Sequence, residues 1–225
     1  GSEMCIRDRS CIGAVEVDLI KDKIDVLVSG SQKAIMLPPG VAFVAYSDRA
    51  IDRFAEVTTP RFYLDLNKYL SSQEQNSTPF TPNVALFRGV NAYVELVKHE
   101  GLNHVIKRHY SIRNALRTAL KSLDLELLVK DDSYASPTVT SFVPKDKEEL
   151  TYLKDQLKSR FNITIAGGQG HLKGHILRIG HMGKVSPFDI LSVVSAIEIL
   201  LTESRNKNYI GKGIAQFMEV IKHES

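Results

Sequence analysis

Lys33 and Arg178 are the two residues of this 225-residue chain whose settings suggest chemistry. Lys33 follows a β-branched apolar run, Ile24-Asp25-Val26-Leu27-Val28, through the small polar residues Ser29-Gly30-Ser31-Gln32. Small residues let backbone approach a ligand closely. A partly buried lysine gives up its proton more readily than one in water, and its free amine can attack a carbonyl. By composition alone, an ordinary surface lysine is the plainer reading. Arg178 lies in His175-Ile176-Leu177-Arg178-Ile179, apolar on both sides. Strand alternation sets it opposite Leu177 and Ile179. A buried guanidinium must be paired, and its planar fork matches a carboxylate with two parallel hydrogen bonds. A structural ion pair, or an edge strand with Arg178 in water, explains the pattern equally well.

Other patterns are weaker. Gly167-Gly168-Gln169-Gly170 lacks the lysine-plus-hydroxyl ending of a phosphate loop and the GxGxxG spacing. It reads as a mobile loop between strands, with a substrate-side flap as a refinement. His99, His104 and His109 recur every five residues and so do not share a helix face. His171 and His175 are four apart, but glycines surround them. No metal site is expected. His181 either lines the region of Arg178 or is structural.

The elements that must position these groups alternate between strand and helix. Strands are expected at 24–28 and 41–46, joined by a turn at a sheet edge and punctuated by Pro38-Pro39-Gly40. Residues 54–77 read as polar, aromatic and irregular, ending in the rigid Thr78-Pro79-Phe80-Thr81-Pro82. Amphipathic helices are expected at 84–100, closed by Gly101, and at 102–122. A compact α+β unit follows, with strands at 125–129, 138–143, 163–165 and 175–179 and helices at 148–160 and 187–203. Ser186-Pro187 opens the last helix as cap and first residue. Residues 211–222 read as a terminal helix or a frayed tail.

Bulk composition is that of a globular chain: 43% hydrophobic and 24% charged residues. Net charge is +3, and the basic residues are dispersed among acidic ones, so no nucleic-acid stripe is expected. The two cysteines, Cys5 and Cys11, read as free thiols. No apolar run approaches a membrane span and no signal peptide opens the chain, so the cytoplasm is the expected compartment. Residues 1–9 lack pattern and read as a non-native leader.

Four stretches carry a resemblance. Residues 24–50, IDVLVSGSQKAIMLPPGVAFVAYSDRA, closely resemble the cofactor-lysine segment of class V aminotransferases, particularly the alanine/serine–glyoxylate and serine–pyruvate branch. STPFTPN resembles the family's loop that reaches the partner subunit's cofactor. SPTVTSFVP resembles its first small-domain strand, and GGQGHLKGHILRIGHMG its segment with the substrate arginine. The resemblance implies an α/β fold: the C-terminal part of a large pyridoxal-phosphate fold-type I domain at 10–101, then a small α+β domain at 102–225. It implies pyridoxal 5′-phosphate bound covalently through Lys33, which then moves a proton at the substrate Cα. Gln32 would lie against the cofactor. Arg178 would clamp the substrate α-carboxylate. Thr81 would donate to the cofactor phosphate of a neighbouring subunit, which implies a homodimer with shared sites. The family often has tyrosine where this chain has Thr78, which keeps a hydroxyl for the phosphate and loses the aromatic contact. The implied reaction moves an amino group from serine or alanine to glyoxylate or pyruvate.

The family's upstream half is missing from the match. Its pyridine-nitrogen aspartate would fall at Arg7, one residue from Asp8, and a cation there cannot replace it. The chain alone is therefore expected to bind cofactor poorly. Two alternatives stand beside the aminotransferase: another class V pyridoxal-phosphate enzyme such as a lyase or desulfurase, and a non-catalytic remnant module. Desulfurases generally use a loop cysteine, and no cysteine follows Cys11.

Overall fold

The computed structural model describes residues 12–224. The expected leader, Arg7, Asp8 and both cysteines lie outside the described residues. The chain divides into two compact units. Among the described residues, the first holds 12 and 16–99 and the second holds 13–15 and 100–224.

In the first unit, β1 (Val26–Gly30) and β2 (Ala42–Tyr46) pair antiparallel, with Val26 opposite Tyr46 and Gly30 opposite Ala42. The region expected to be irregular instead holds the end of α1 (Asp48–Glu56) and all of α2 (Leu66–Glu74). Both are nine-residue helices with side-chain caps; α1 is also strongly amphipathic over its short length, α2 only weakly. Ser47 Oγ accepts from the Ala50 N–H and the Asp65 carboxylate from the Asn67 N–H. Arg61 closes α1 from outside, donating to the Phe54 and Val57 carbonyls at 2.9 and 2.8 Å. It also pairs with Asp65 at 3.0 Å. The helix α3 (Val84–Glu100) has the expected bounds, and the Asn83 side chain caps it by accepting from the Leu86 N–H at 3.2 Å.

The second unit begins with α4 (Leu102–Ser122), entered through Gly101 at φ 87°. A four-stranded antiparallel sheet follows, in the order β3 (Glu126–Leu127), β4 (Val139–Val143), β6 (Leu177–Gly180), β5 (Ala166–Gly167). The helices are α5 (Lys147–Phe161), α6 (Pro187–Arg205) and α7 (Lys212–Glu224). Alternation along the strands buries Leu127, Phe142, Leu177 and Ile179 against Leu116 and Leu120 of α4, Leu157 of α5 and Ile197 of α6. Ser141 and Arg178 are register partners on the opposite face.

Two expectations shift here. The strand expected at 163–165 forms instead at Ala166–Gly167, starting three residues later, where its partners on β6 are Arg178 and Leu177. The stretch 167–170 is not a free loop: it starts in β5 and runs into a single 3₁₀ turn at Gly170–Leu172. Ser186 opens α6 with a complete capping box to Asp189. The tail after Gly211 is helical because the buried Glu198 carboxylate accepts from the Gly211 and Ile214 N–H groups at 2.8 and 2.9 Å.

Candidate active site

Lys33 sits in the loop between β1 and β2, and Ser31 holds that loop in shape. Ser31 is fully buried; its N–H donates to the Val41 carbonyl and its carbonyl accepts from the Leu37 N–H, both at 2.9 Å. Its hydroxyl donates to the Pro38 carbonyl at 2.7 Å and accepts from the Val41 N–H at 3.3 Å. The turn itself is closed by Lys33 N–H to Gly30 carbonyl at 3.2 Å and Met36 N–H to Lys33 carbonyl at 2.8 Å. Met36 adopts a left-handed backbone, φ 64°, which costs a non-glycine residue on the order of 1 kcal/mol. Inside this framework Lys33 is half-buried, and its amine makes no hydrogen bond or ion pair among the described residues. Gln32 is exposed and folds back over Gly30, where a Cβ would stand 2.5 Å from Gln32 Oε1.

The Lys33 loop rests on α3. Leu37 lies against Gly89, where a Cβ would come within 2.9 Å of it. Gly40, at φ 148°, lies against Leu86 and Asn83, where a Cβ would come within 2.6 and 3.5 Å. Asn83 ends the Thr78–Pro82 segment, so the two stretches singled out for cofactor contact meet the same helix start. The Thr78 hydroxyl donates to the Phe80 carbonyl at 2.8 Å. Thr81 is exposed, and its hydroxyl has no partner among the described residues. Phe80 anchors this loop in an aromatic cluster, with ring centroids 5.6 Å from Phe62, 4.8 Å from Tyr63 and 6.1 Å from Tyr69. Burial raises the Tyr69 pKa. Sequence reading passed over this cluster, because its members come from a stretch that has no strand or helix period.

Arg178 lies in the second unit. It stands on β6, an interior strand, between Ser141 of β4 and Ala166 of β5. It is half-buried, and its Nε donates to the Gly167 carbonyl at 2.8 Å. No carboxylate pairs with it among the described residues, and its two Nη groups have no partner there. Neither the edge-strand reading nor the structural ion pair therefore describes it. The guanidinium is fixed by one bond at Nε, with the two-pronged end left open on the face the core does not use.

The histidines near Arg178 belong to the framework. His181 is fully buried, and its Nε2 lies 2.9 Å from the Thr140 hydroxyl, on the core face. Burial, reinforced by the neighbouring His109, pushes its pKa down to about 4. His109 is also fully buried. Its Nδ1 faces the Val105 carbonyl at 2.7 Å, and its Nε2 accepts from the Gly183 N–H at 2.9 Å. That pair of partners defines a neutral ring with its proton on Nδ1. It ties α4 to the turn just past β6. Spacing along α4 gave no hint of this, because the partner lies 74 residues away. Among the described residues, no three His, Cys, Asp or Glu side chains are placed to hold a metal ion, and no helix is long and apolar enough to cross a membrane.

Comparison with known proteins gives these arrangements a context. The family model described as aminotransferase class-V matches residues 8–186. A protein named soluble hydrogenase, small subunit, from Synechococcus sp. (strain PCC 6716) is 43% identical over 93% of this chain and 54% of its own length. The serine–glyoxylate aminotransferase of Arabidopsis thaliana is 27% identical over 95% of this chain and 54% of its own. The crystal structure of pyridoxamine-pyruvate aminotransferase from Mesorhizobium loti superposes with a TM-score of 0.90 at 27% identity, covering 97% of this chain and 57% of that one. The chain thus spans about half the length of the relatives it matches.

Proposed function

Because this chain belongs to the aminotransferase class-V family, whose enzymes use pyridoxal phosphate, we propose that it supplies the lysine and the carboxylate-binding arginine of a transaminase. The observation that carries this reading is Arg178: a half-buried guanidinium on an interior strand, held at Nε and open at both Nη groups. An α-carboxylate fits that fork with two parallel hydrogen bonds. The relatives named for serine, glyoxylate and pyruvate support a small amino acid as donor and a small 2-oxo acid as acceptor.

Bound pyridoxal phosphate supplies an electron sink for the charge that develops at the substrate Cα. Lys33 fits that group: its amine is unpartnered among the described residues, and its loop is locked by Ser31. Lys33 Nζ is the group that would hold the cofactor covalently, and as a free amine it would take the proton from the substrate Cα. Gln32 packs beside the cofactor. Thr81 offers its hydroxyl to a phosphate in the site of a second subunit, so the proposed working form is a homodimer; Thr78 would have to give up its 2.8 Å bond to the Phe80 carbonyl to donate to a phosphate. Arg178 binds the substrate α-carboxylate through its two Nη groups. The first unit represents part of a cofactor-binding domain and the second a small C-terminal domain.

Reduction of the full-length protein with borohydride in the presence of pyridoxal phosphate, followed by peptide mapping, tests the reading. The expected result is label concentrated on Lys33 and absent from Lys33→Ala. Label spread evenly over surface lysines removes Lys33 from the role.

A further inference from the structure

Gly167 ends β5 and three more glycines lie between it and β6, and the four meet different demands. Gly170 and Gly174 have positive φ, 54° and 76°, with nothing within 4 Å of an added Cβ. Their requirement is backbone conformation. Gly167 has the same open space and no positive φ. Gly168 differs from all three. A Cβ there would overlap the Leu172 carbonyl oxygen and stand 2.5 Å from its carbon, with Ile176 Cγ1 at 3.0 Å. The obstacle is backbone, which cannot rotate aside as a side-chain tip can.

The segment 168–176 folds back over its own start through this contact. The Gly168 N–H donates to the Ile176 carbonyl at 3.1 Å, and the His175 N–H donates to the Leu172 carbonyl at 3.1 Å, holding that carbonyl over Gly168. β5 has only two residues, paired as Ala166 with Arg178 and Gly167 with Leu177. So short a strand depends on the closure that follows it. Its Gly167 carbonyl is the group that Arg178 Nε grips at 2.8 Å.

We infer that Gly168 is a positioning residue for Arg178: its missing side chain lets the 168–176 segment close, which sets the Gly167 carbonyl and thereby the direction of the guanidinium fork. This rests on the reading of Arg178 as the carboxylate clamp, and the two are tested apart.

The test is the Arg178 Nε–H resonance in ¹⁵N-labelled 225-residue chain, assigned by its loss in Arg178→Lys. In the wild type, with ¹³C labelling added, it is expected to exchange slowly with water and to show a through-bond coupling to the Gly167 carbonyl carbon. Gly168→Ala is expected to abolish both the protection and the coupling while the Leu177 and Ile179 amides stay protected. Gly167→Ala, the same change in open space, keeps the coupling. A Gly168→Ala spectrum with the coupling intact overturns the inference. So does loss of the Leu177 and Ile179 amides, which would make Gly168 a residue of the fold at large. Titration with L-alanine or pyruvate addresses the clamp separately. A wild-type Arg178 resonance that ignores both carboxylates, yet responds to Gly168→Ala, removes the clamp and leaves the positioning.

Discussion

Burial sets the chemistry of individual residues here, and His181 is the clearest case. Its pKa falls to about 4, chiefly through desolvation, against 6.5 in the unfolded chain. The unfolded chain therefore binds the proton more readily than the folded one. This contribution to stability is complete above pH 6.5 and is lost as pH falls toward 4. The loss reaches about 3 kcal/mol by the bottom of that window. His109 is depressed in the same direction, also by burial. Urea unfolding between pH 7.5 and pH 4.5 should show falling stability, with a flatter slope in His181→Gln. An unchanged slope in that variant would place the effect elsewhere. At the proposed site, Arg178→Lys keeps the charge and loses the fork. In the full-length enzyme it should raise the substrate KM on the order of 10- to 100-fold, the worth of one charged hydrogen bond. An unaltered KM would remove the arginine from carboxylate binding.

At the scale of elements, α7 depends on one buried side chain. Glu198 of α6 satisfies the Gly211 and Ile214 N–H groups, and Gly213 lets the helix come so close that an added Cβ would stand 3.0 Å from Val194 and 3.1 Å from Glu198. Glu198→Ala leaves two donors without their acceptor and a gap beside them, at a cost of about 3 kcal/mol. Glu198→Gln keeps one acceptor oxygen and should cost about 1 kcal/mol. Urea denaturation of both variants measures this, and equal costs would show that charge, not hydrogen-bond count, holds the helix start. The α5–α6 contact relies on a similar device. Arg205 grips Glu149 with two bonds at 2.6 and 2.8 Å, and only 16% and 6% of the two side chains is exposed. Burial works against the Glu149 carboxylate, but Arg205 and the Lys145 N–H outweigh it and lower its pKa. Removing Arg205 alone would leave that carboxylate uncompensated.

Across the whole molecule, the two units differ in how they are held. The large fully buried side chains, among them Phe142, Leu116, Leu157, Ile197 and Phe217, all belong to the second unit. The first unit buries mainly small residues, Ser29, Ser31, Ala34 and Ala50, and leaves Phe62, Tyr63, Leu64 and Phe87 at least half exposed. Apolar burial is the main favourable contribution to folding, so local opening should be easier in the first unit. Hydrogen exchange of the intact chain should find β4, β6 and α6 among the slowest amides and β1 and β2 well ahead of them. Equal protection in β1 and β6 would contradict this account.

Pattern located the long helices α3, α4 and α6 and drew attention to Lys33 and Arg178, and the class V resemblance gave those two residues their expected roles, because each of these signals depends on residues close together in the chain. A β-branched run before a small-residue loop, an apolar period of 3.6, and a Ser-Pro helix start are all local signals. The short helix α2 escaped because it carries a cap with only a weak apolar stripe, and α1 because its amphipathic pattern lasts only nine residues. What stayed hidden depends on distant partners. Pattern left Arg178 open between a ligand site and an ion pair, and only strand order and the Gly167 carbonyl set its surroundings. Gly168 looked like one glycine of four until Leu172 folded over it. His109 and His181 read as scattered histidines, whereas packing makes them buried and hard to protonate. A residue's type sets which bonds it can make, but burial and the groups that converge on it are set by the fold.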